Sequence, residues 1–319
     1  MAVLNRRGVL AALGGAVIGL PGSRGWAEEA DKQPAEGGIG GTGIVGTLMD
    51  FGSLIVNGMG IETDADTAYS STLGAFDPEN LAIGHSLTIE ATGSSQGLLA
   101  RRVHVTQPLV GRLEIWDDSG LLRVAGVDVI ADLGAIPDFG AGDRVAVSGV
   151  WRGNAVIAAR IDAASDIETS AIAGAVTRRG DGWALGGRPL ELGSGVEAPD
   201  PGSFVTVTGR ALADRFVADR LVPGRFTGAA GPLQQLSIDG YLDPVATAPQ
   251  YEIAGLGHSF DPEANLTPFR ETRTLFTGPY TGLFAVQTGL ILPESFAERR
   301  AFIRELVVDP AAGQPISAR

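Results

Sequence analysis

The sequence predicts an all-β protein of tandem small OB-like β-barrels that ends in a short C-terminal helix. Three glycine landmarks support this prediction, because they recur four times in the same order, about 65 residues apart. The first landmark lies inside an apolar segment, the second closes the next apolar run, and the third follows a hydroxyl residue after a strand-like stretch. The glycines are Gly46, Gly111, Gly174 and Gly240 at the first landmark, Gly58, Gly126, Gly187 and Gly255 at the second, and Gly93, Gly149, Gly209 and Gly278 at the third.

Apolar and polar residues alternate between the landmarks, as they do in strands with one face on a core. Residues 144–148 alternate strictly, and residues 204–208 repeat the pattern. Each copy has room for five short strands: one around the first glycine, two around the second, a fourth that ends at the third glycine, and a fifth after it. Because a flat sheet of this size would leave two open edges, we expect each copy to close into a small barrel.

The landmark glycines have structural interpretations in such a barrel. A strand that bends sharply at a barrel corner needs a residue without Cβ, which explains the first landmark. A tight hairpin between the second and third strands explains the second landmark. The copies therefore share structural features, and no polar constellation recurs that would place a catalytic site in every module.

The copies differ at the two ends of the array, as terminal repeats often do. The first module carries an insertion around Ala65 to Phe76, and the fourth has longer connections followed by apolar residues at helical spacing after Pro293. The predicted modules span residues 44–107, 108–168, 169–225 and 226–309, the last including the C-terminal helix, and residues 310–319 form a tail.

The first 27 residues have the organisation of an export signal. Arg6 and Arg7 precede an apolar stretch from Val9 to Leu20 that is too short for a stable transmembrane helix, and small residues precede a cleavage site near Ala27. We expect a periplasmic or secreted protein with no stable membrane span after cleavage. The twin-arginine route and the general secretory route both fit this segment. Residues 28–43 are predicted to be a flexible Gly-rich linker.

Composition excludes several classes of chemistry and partner. The chain contains no cysteine, which excludes disulfides and thiolate metal sites. Its formal net charge is −13 at pH 7. Because such a surface repels phosphate backbones and no compensating basic patch is evident, we expect no nucleic-acid partner.

The segment from Gly37 to Gly46, followed by residues 55–58 and 61–63, resembles the bacterial domain family DUF5666. Residues 142–149 and 202–209 resemble the fourth strand of the same family, whereas the fourth module lacks the glycine before that strand. The resemblance implies a small β-barrel-type fold, tandem units and an envelope location. It implies no activity, because the function of the family is unknown and it supplies no catalytic residues.

Two acidic turns of similar sequence are the candidate metal sites. Asp-Pro-Glu follows Phe76 and again Phe260, each at a similar distance before the third glycine. Carboxylate and amide oxygens are the ligands that Ca²⁺ prefers. The alternative, which we favour, is a turn or one-turn helix in which Asp caps and Pro supplies the first helical residue. The weak Ca²⁺ candidates are Asp77, Glu79, Asn80, Asp261, Glu263 and Asn265.

Other candidate chemistry is sparse. His85, His104 and His258 fall at different points of their modules, so they predict no repeated metal site. No Gly-x-Ser-x-Gly elbow in a strand–turn–helix context is present. The tryptophans either fill small cores, which we favour, or stack sugars at an exposed surface. They include Trp116, Trp151 and Trp183.

We expect an exported, non-enzymatic binding or scaffold protein of the cell envelope, with no catalytic residue, cofactor or metal assigned. Its interaction surface should lie where the copies differ: the insertion, the acidic turns and the junctions between barrels. The partner is expected to be another envelope protein or a glycan. Two alternatives stay open, namely an exported carbohydrate-directed hydrolase with its site between modules, and a metal-ion binder.

Overall fold

The fold is that of a computed structural model, in which the described residues are 40–95, 97–115, 122–131, 139–246, 250–257 and 260–318. The predicted export signal, most of the predicted linker, Trp116 and His258 lie outside these residues. Within the described ranges the chain is all-β with one short α-helix near its C-terminus, so the predicted fold class is confirmed.

The first module closes into a five-strand barrel. The module contains β1 (Gly41–Asp50), β2 (Leu54–Val56), β3 (Met59–Glu62), β4 (Ala68–Ser71), β5 (Gly74–Ala75), β6 (Ser86–Ser94) and β7 (Gly97–Val105), of which β1, β2, β3, β6 and β7 form the barrel. β1 pairs antiparallel with β2 and β6, β2 pairs with β3, and β6 pairs with β7. A parallel pairing of β3 with β7 completes the circuit, with Ile61 opposite Leu98. The enclosed core includes Ile44, Leu87 and Val103.

The predicted insertion extends this barrel with two more strands. β4 pairs in parallel with the second half of β7, next to the part of β7 that β3 occupies. β4 and β5 then form a hairpin. This pairing places Ser70 directly opposite His104. The insertion is therefore held against β7 by backbone hydrogen bonds.

The second and third modules repeat the circuit of the first. The second contains β8 (Leu109–Ile115), β9 (Leu122–Val124), β10 (Val127–Ala131), β11 (Arg144–Arg152) and β12 (Ala155–Ala163). The third contains β13 (Ser170–Arg179), β14 (Gly182–Leu185), β15 (Arg188–Leu192), β16 (Phe204–Ala211) and β17 (Phe216–Pro223). In each, the first strand pairs with the second and the fourth, and a parallel pairing of the third with the fifth closes the barrel.

The fourth module is an opened form of the same barrel. It contains β18 (Leu233–Gly240), β19 (Leu242–Pro244), β20 (Tyr251–Ile253), β21 (Thr274–Pro279), β22 (Thr288–Ile291) and β23 (Ile316–Ser317). β18 pairs with β21, whereas β19 and β20 form a separate two-stranded sheet. Where the other modules pair their third and fifth strands, the described residues show an isolated parallel bridge between Phe260 and Phe284. β23, in the predicted tail, pairs with β22.

The C-terminal helix α1 (Phe296–Val308) packs on the first module. Ile303 lies in an apolar cluster with Met49, and the Arg304 Nε atom lies 2.7 Å from a carboxylate oxygen of Asp50. Short 3₁₀ turns span Pro78–Asn80, Thr267–Phe269 and Pro310–Ala312. The helix that follows the last module thus covers the first one.

The four modules form a compact cluster, although their order in the sequence is tandem. β1 pairs in parallel with β18, so the first and fourth modules share one sheet, and β8 pairs antiparallel with β13, so the second and third share another. The backbone N–H of Gly153 donates to Asp243 (3.1 Å), which joins the second module to the fourth. The His85 Nε2 atom lies 3.0 Å from a carboxylate oxygen of Asp162, which joins the first module to the second.

Trp151 fills the space between the second, third and fourth modules. Its side chain is buried, and its Nε1–H donates to the carbonyl of Ala173 (2.8 Å). A Cβ on Gly186 or Gly255 would overlap the indole ring. Trp151 is therefore a core residue, as favoured from the sequence, and its contacts depend on glycines from neighbouring modules.

Three second-landmark glycines, Gly58, Gly126 and Gly187, lie in the hairpin turns that join the second and third strands of the closed barrels. Asn57 and Gly58 have φ of 56° and 76°, the left-handed backbone of a type I′ hairpin turn. Gly126 and Gly187 have φ of 78° and 73° in the corresponding turns. Gly255 has φ of 75°, but it follows β20 and lies outside the β19–β20 hairpin.

Gly93 and Gly278 lie one residue before the end of the fourth strand, whereas Gly149 and Gly209 lie inside it, which corrects the prediction for the second and third modules. β11 and β16 continue past Gly149 and Gly209, each of which lies at a β-bulge. A Cβ there would overlap a carbonyl oxygen of the paired fifth strand. In the first module the bulge falls between Glu90 and Ala91, so Ala91 occupies this position and Gly93 does not. Equivalent residues of the three fifth strands are therefore matched by counting from the bulge, and not from the third-landmark glycine.

We predict that Gly186→Ala lowers the free energy of unfolding by about 2–4 kcal/mol, from left-handed strain plus overlap with the Trp151 ring. Gly180→Ala is the matched control, because Gly180 has φ of 59° against 57° at Gly186 and open space around its Cβ position. Gly180→Ala should lower the free energy of unfolding by about 1 kcal/mol, from the left-handed backbone strain alone. Urea unfolding measures both. Equal decreases in the free energy of unfolding would show that overlap with Trp151 does not destabilise Gly186→Ala.

Candidate binding cleft

A cleft of about 590 Å³ opens between the first and third modules. The insertion hairpin forms one wall, and β7 with the segment that joins the second and third modules forms another. β16, β17 and the linker to the fourth module complete it. The insertion and a junction between modules, both predicted from the sequence as interaction surfaces, thus meet at this cleft.

A serine and a histidine lie side by side on the insertion wall. The parallel register of β4 and β7 sets Ser70 opposite His104, and the Ser70 hydroxyl lies 2.9 Å from the His104 Nδ1 atom. Burial, together with the charges of Arg102 and Arg225, lowers the pKa of His104 to about 3. At neutral pH this imidazole is therefore uncharged.

Three arginines line the cleft, and none of its lining residues is an aspartate or glutamate. Arg102 lies 3.3 Å from Glu90, which partly offsets its charge. Arg225 lies over the Phe204 ring, 4.1 Å from its centroid, and donates from Nη2 to the carbonyl of Gly255. Arg220 is exposed on β17. The cleft is positive in a protein whose net charge is −13.

The arginine of the fifth strand recurs in the three closed barrels. The last pair before each bulge is Glu90 with Arg102, Ser148 with Arg160, and Thr208 with Arg220. A single arginine therefore recurs at this register, although its strand partners differ and form no repeated polar constellation. The signal in the sequence was Ala-x-Arg at residues 100–102, 158–160 and 218–220. It was missed because Gly93 misaligns the first module by two residues.

A buried carboxylate fixes the linker wall of the cleft. Glu90 is fully buried and accepts four hydrogen bonds of 2.8 Å. The donors are the backbone N–H and hydroxyl of Thr227 and the backbone N–H groups of Gly228 and Ala229. Because these residues follow Arg225, Glu90 also positions that arginine. Burial raises the pKa of Glu90, but the bonds from Thr227 and Ala229 and the charge of Arg102 outweigh it, so this pKa is lowered.

The two acidic turns lie outside the cleft and have the capped geometry favoured from the sequence. A carboxylate oxygen of Asp77 accepts from the backbone N–H of Glu79 (3.0 Å), and Asp261 accepts from Glu263 in the same way. The Asn265 side chain accepts from the N–H of Thr267 (3.3 Å), and Asn80 ends its 3₁₀ turn. In the described part of the chain, no three His, Asp or Glu side chains are grouped to hold a metal ion.

The fold and the cleft define a class: an all-β chain of small five-strand barrels with a ligand-sized cavity between modules. Residues 42–104, which form the first module, match the family model DUF5666, a domain of unknown function. The resemblance found in the sequence is thereby confirmed for this segment. No curated protein and no solved structure matches the chain. Among the described residues no helix has the length and apolar character to cross a membrane.

We predict that Glu90→Gln lowers the free energy of unfolding by about 2–4 kcal/mol, because the amide NH₂ faces backbone donors in a buried site. Glu79→Gln, at an exposed position, should change it by less than about 0.5 kcal/mol. Since the folded pKa of Glu90 is lowered, its stabilisation is present above the ordinary pKa and disappears as the pH falls through the folded value. The difference in Tm between the wild type and Glu90→Gln should therefore become smaller at acidic pH. A difference in Tm that becomes larger would contradict this prediction.

We predict that His104 stays neutral between pH 8 and pH 5 in the folded protein. The unfolded chain takes up this proton near pH 6.5 and the folded chain only near 3, so His104 destabilises the fold as the pH falls between these values. Imidazole ¹⁵N shifts measure the protonation, and the urea-unfolded chain is the reference. A folded-state midpoint near pH 6.5 would contradict the burial and charge environment described above.

Proposed function

We propose that the protein is a non-enzymatic binding protein of the cell envelope, exported to the periplasm or beyond, that holds its ligand in the cleft. The size of the cleft carries this proposal. Its volume of about 590 Å³ lies within the range of small-molecule sites, roughly 300–1,000 Å³. Strand pairing on one wall and the Glu90 hydrogen bonds on another support a preformed site. Of the two expected partner classes, a cavity of this shape suits a small ligand or the end of a glycan better than a protein surface.

The Ser70–His104 pair is the one observation that favours the alternative, an exported hydrolase. A general base works best with a pKa near the working pH, and the pKa of His104 is about 3. The charges of Arg102 and Arg225 also destabilise the imidazolium that such a reaction requires. We therefore assign the Ser70 hydroxyl a binding role.

Blocking the cleft tests the proposed function. Thr206 lies on β16 and lines the cleft, so Thr206→Trp should fill part of it. Thr177→Trp is the matched control, because Thr177 is an exposed strand threonine of the same module and does not line the cleft. The dialysable fraction of an envelope extract should raise the Tm of the wild type and of Thr177→Trp, since a ligand that binds only the folded state stabilises it. The Tm of Thr206→Trp should not rise.

Equal stabilisation of Thr206→Trp would place the ligand elsewhere and contradict the proposal. Labelling of Ser70 by a fluorophosphonate probe, absent in Ser70→Ala, would contradict the non-enzymatic part and support the hydrolase. Near-native circular dichroism of each variant is required first, so that loss of binding is separated from loss of fold.

A further inference from the structure

Among the described residues, the recurring arginine has a partner in the first and second modules and none in the third. Arg102 lies 3.3 Å from Glu90 and donates to the carbonyl of Arg225. Arg160 lies 2.5 Å from Asp162 and donates to the carbonyl of Ile83 in the first module. Arg220, at the same register, makes no hydrogen bond or ion pair with any described residue and lines the cleft.

Arg225 is a second cation in the cleft that pairs with no aspartate or glutamate of the described residues. Among the described residues its guanidinium contacts the Gly255 carbonyl and the Phe204 ring, and its Nε atom is buried without a hydrogen-bond partner. Burial lowers the pKa of Arg225 to about 9, so the guanidinium remains charged at neutral pH. Arg225 is partly buried, and a cation withdrawn from water is costly unless it is paired, which leaves this site with an unmet preference for a negative group.

A neighbouring cavity is also lined by arginines, but its lining includes acidic residues. Arg112, Arg144 and Arg210 line a second cavity of about 440 Å³. Glu114 and Glu168 line the same cavity, so two of its three positive charges are offset from within. The cleft with Arg220 and Arg225 has no such acid in its lining.

We infer that the cleft binds a ligand through an oxyanion, a carboxylate or a phosphate, held between Arg220 and Arg225. The inference rests on the proposed function and names the chemical class of its ligand. The planar fork of arginine donates two parallel hydrogen bonds to either oxyanion. The hydroxyls of Ser70, Thr206 and Thr208 line the same cleft and supply donors and acceptors for the rest of a polar ligand, such as the hydroxyls of an acidic sugar.

Isothermal titration calorimetry with three matched sugars tests the inference. Glucuronic acid supplies the carboxylate, glucose 1-phosphate supplies the phosphate, and glucose is the neutral reference. At least one acidic sugar should bind the mature wild type at least ten-fold more tightly than glucose, and the tighter of the two identifies the oxyanion. Added salt should weaken that binding, because the attraction is electrostatic.

Charge removal completes the test. Arg220→Gln and Arg225→Gln should each weaken binding at least ten-fold. Arg210→Gln, an exposed arginine on the adjacent strand that lines the other cavity, should bind within two-fold of the wild type. Where Arg225→Gln does not fold, Arg225→Lys keeps the charge and removes the fork, and Arg220→Gln, at an exposed position, decides the outcome.

Binding of glucose equal to that of both acidic sugars would overturn the inference, as would Arg220→Gln behaving like the wild type. This failure is distinguishable from failure of the proposed function. If the envelope fraction still stabilises Arg220→Gln and not Thr206→Trp, the cleft binds a ligand that is not anionic. If it stabilises Thr206→Trp as well, the cleft is not the binding site.

Discussion

The parallel pairing of β1 with β18 joins the first and fourth modules, and the course of the linker that enters β18 depends on it. The opened fourth module would otherwise expose the edge of β18, which β1 covers. At this seam Arg273 and Asp239 form a buried ion pair, with N···O distances of 2.7 and 2.8 Å, and Arg273 also donates to Thr47 on β1. A buried pair of this kind adds little net stability but is costly to break, so it favours one register over its alternatives.

The same seam accounts for the cleft. Because β18 lies beside β1, the linker that enters β18 passes over β6, where the buried carboxylate of Glu90 accepts its backbone N–H groups. The linker carries Arg225 into the cavity beside β17 and Arg220. The positive lining thus follows from how the modules meet, and no single barrel contains it.

Local features of this fold were predictable, and contacts between modules were not. The alternation of residues 144–148 and the Asn57–Gly58 turn act within a few residues, so the sequence pattern sufficed for strands, hairpins and fold class. Glu90 and Thr227 are 137 positions apart, and no periodicity links them. The opened fourth module was missed because its long connections still carry the landmark glycines. The Ser70–His104 pair depends on the parallel pairing of β4, in the insertion, with β7. A sequence pattern that indicates antiparallel hairpins does not predict such a pairing.

Duplication explains why one arginine can bind a ligand while its copies stabilise the fold. Each closed barrel places this arginine opposite the residue before the bulge, so its position is set by strand register. What surrounds it differs between the modules: Glu90 of the same module at Arg102, Asp162 of the same module and a carbonyl of the first module at Arg160, and an open cavity at Arg220. Function in this chain therefore arises from a feature that the copies share, placed in surroundings that they do not share.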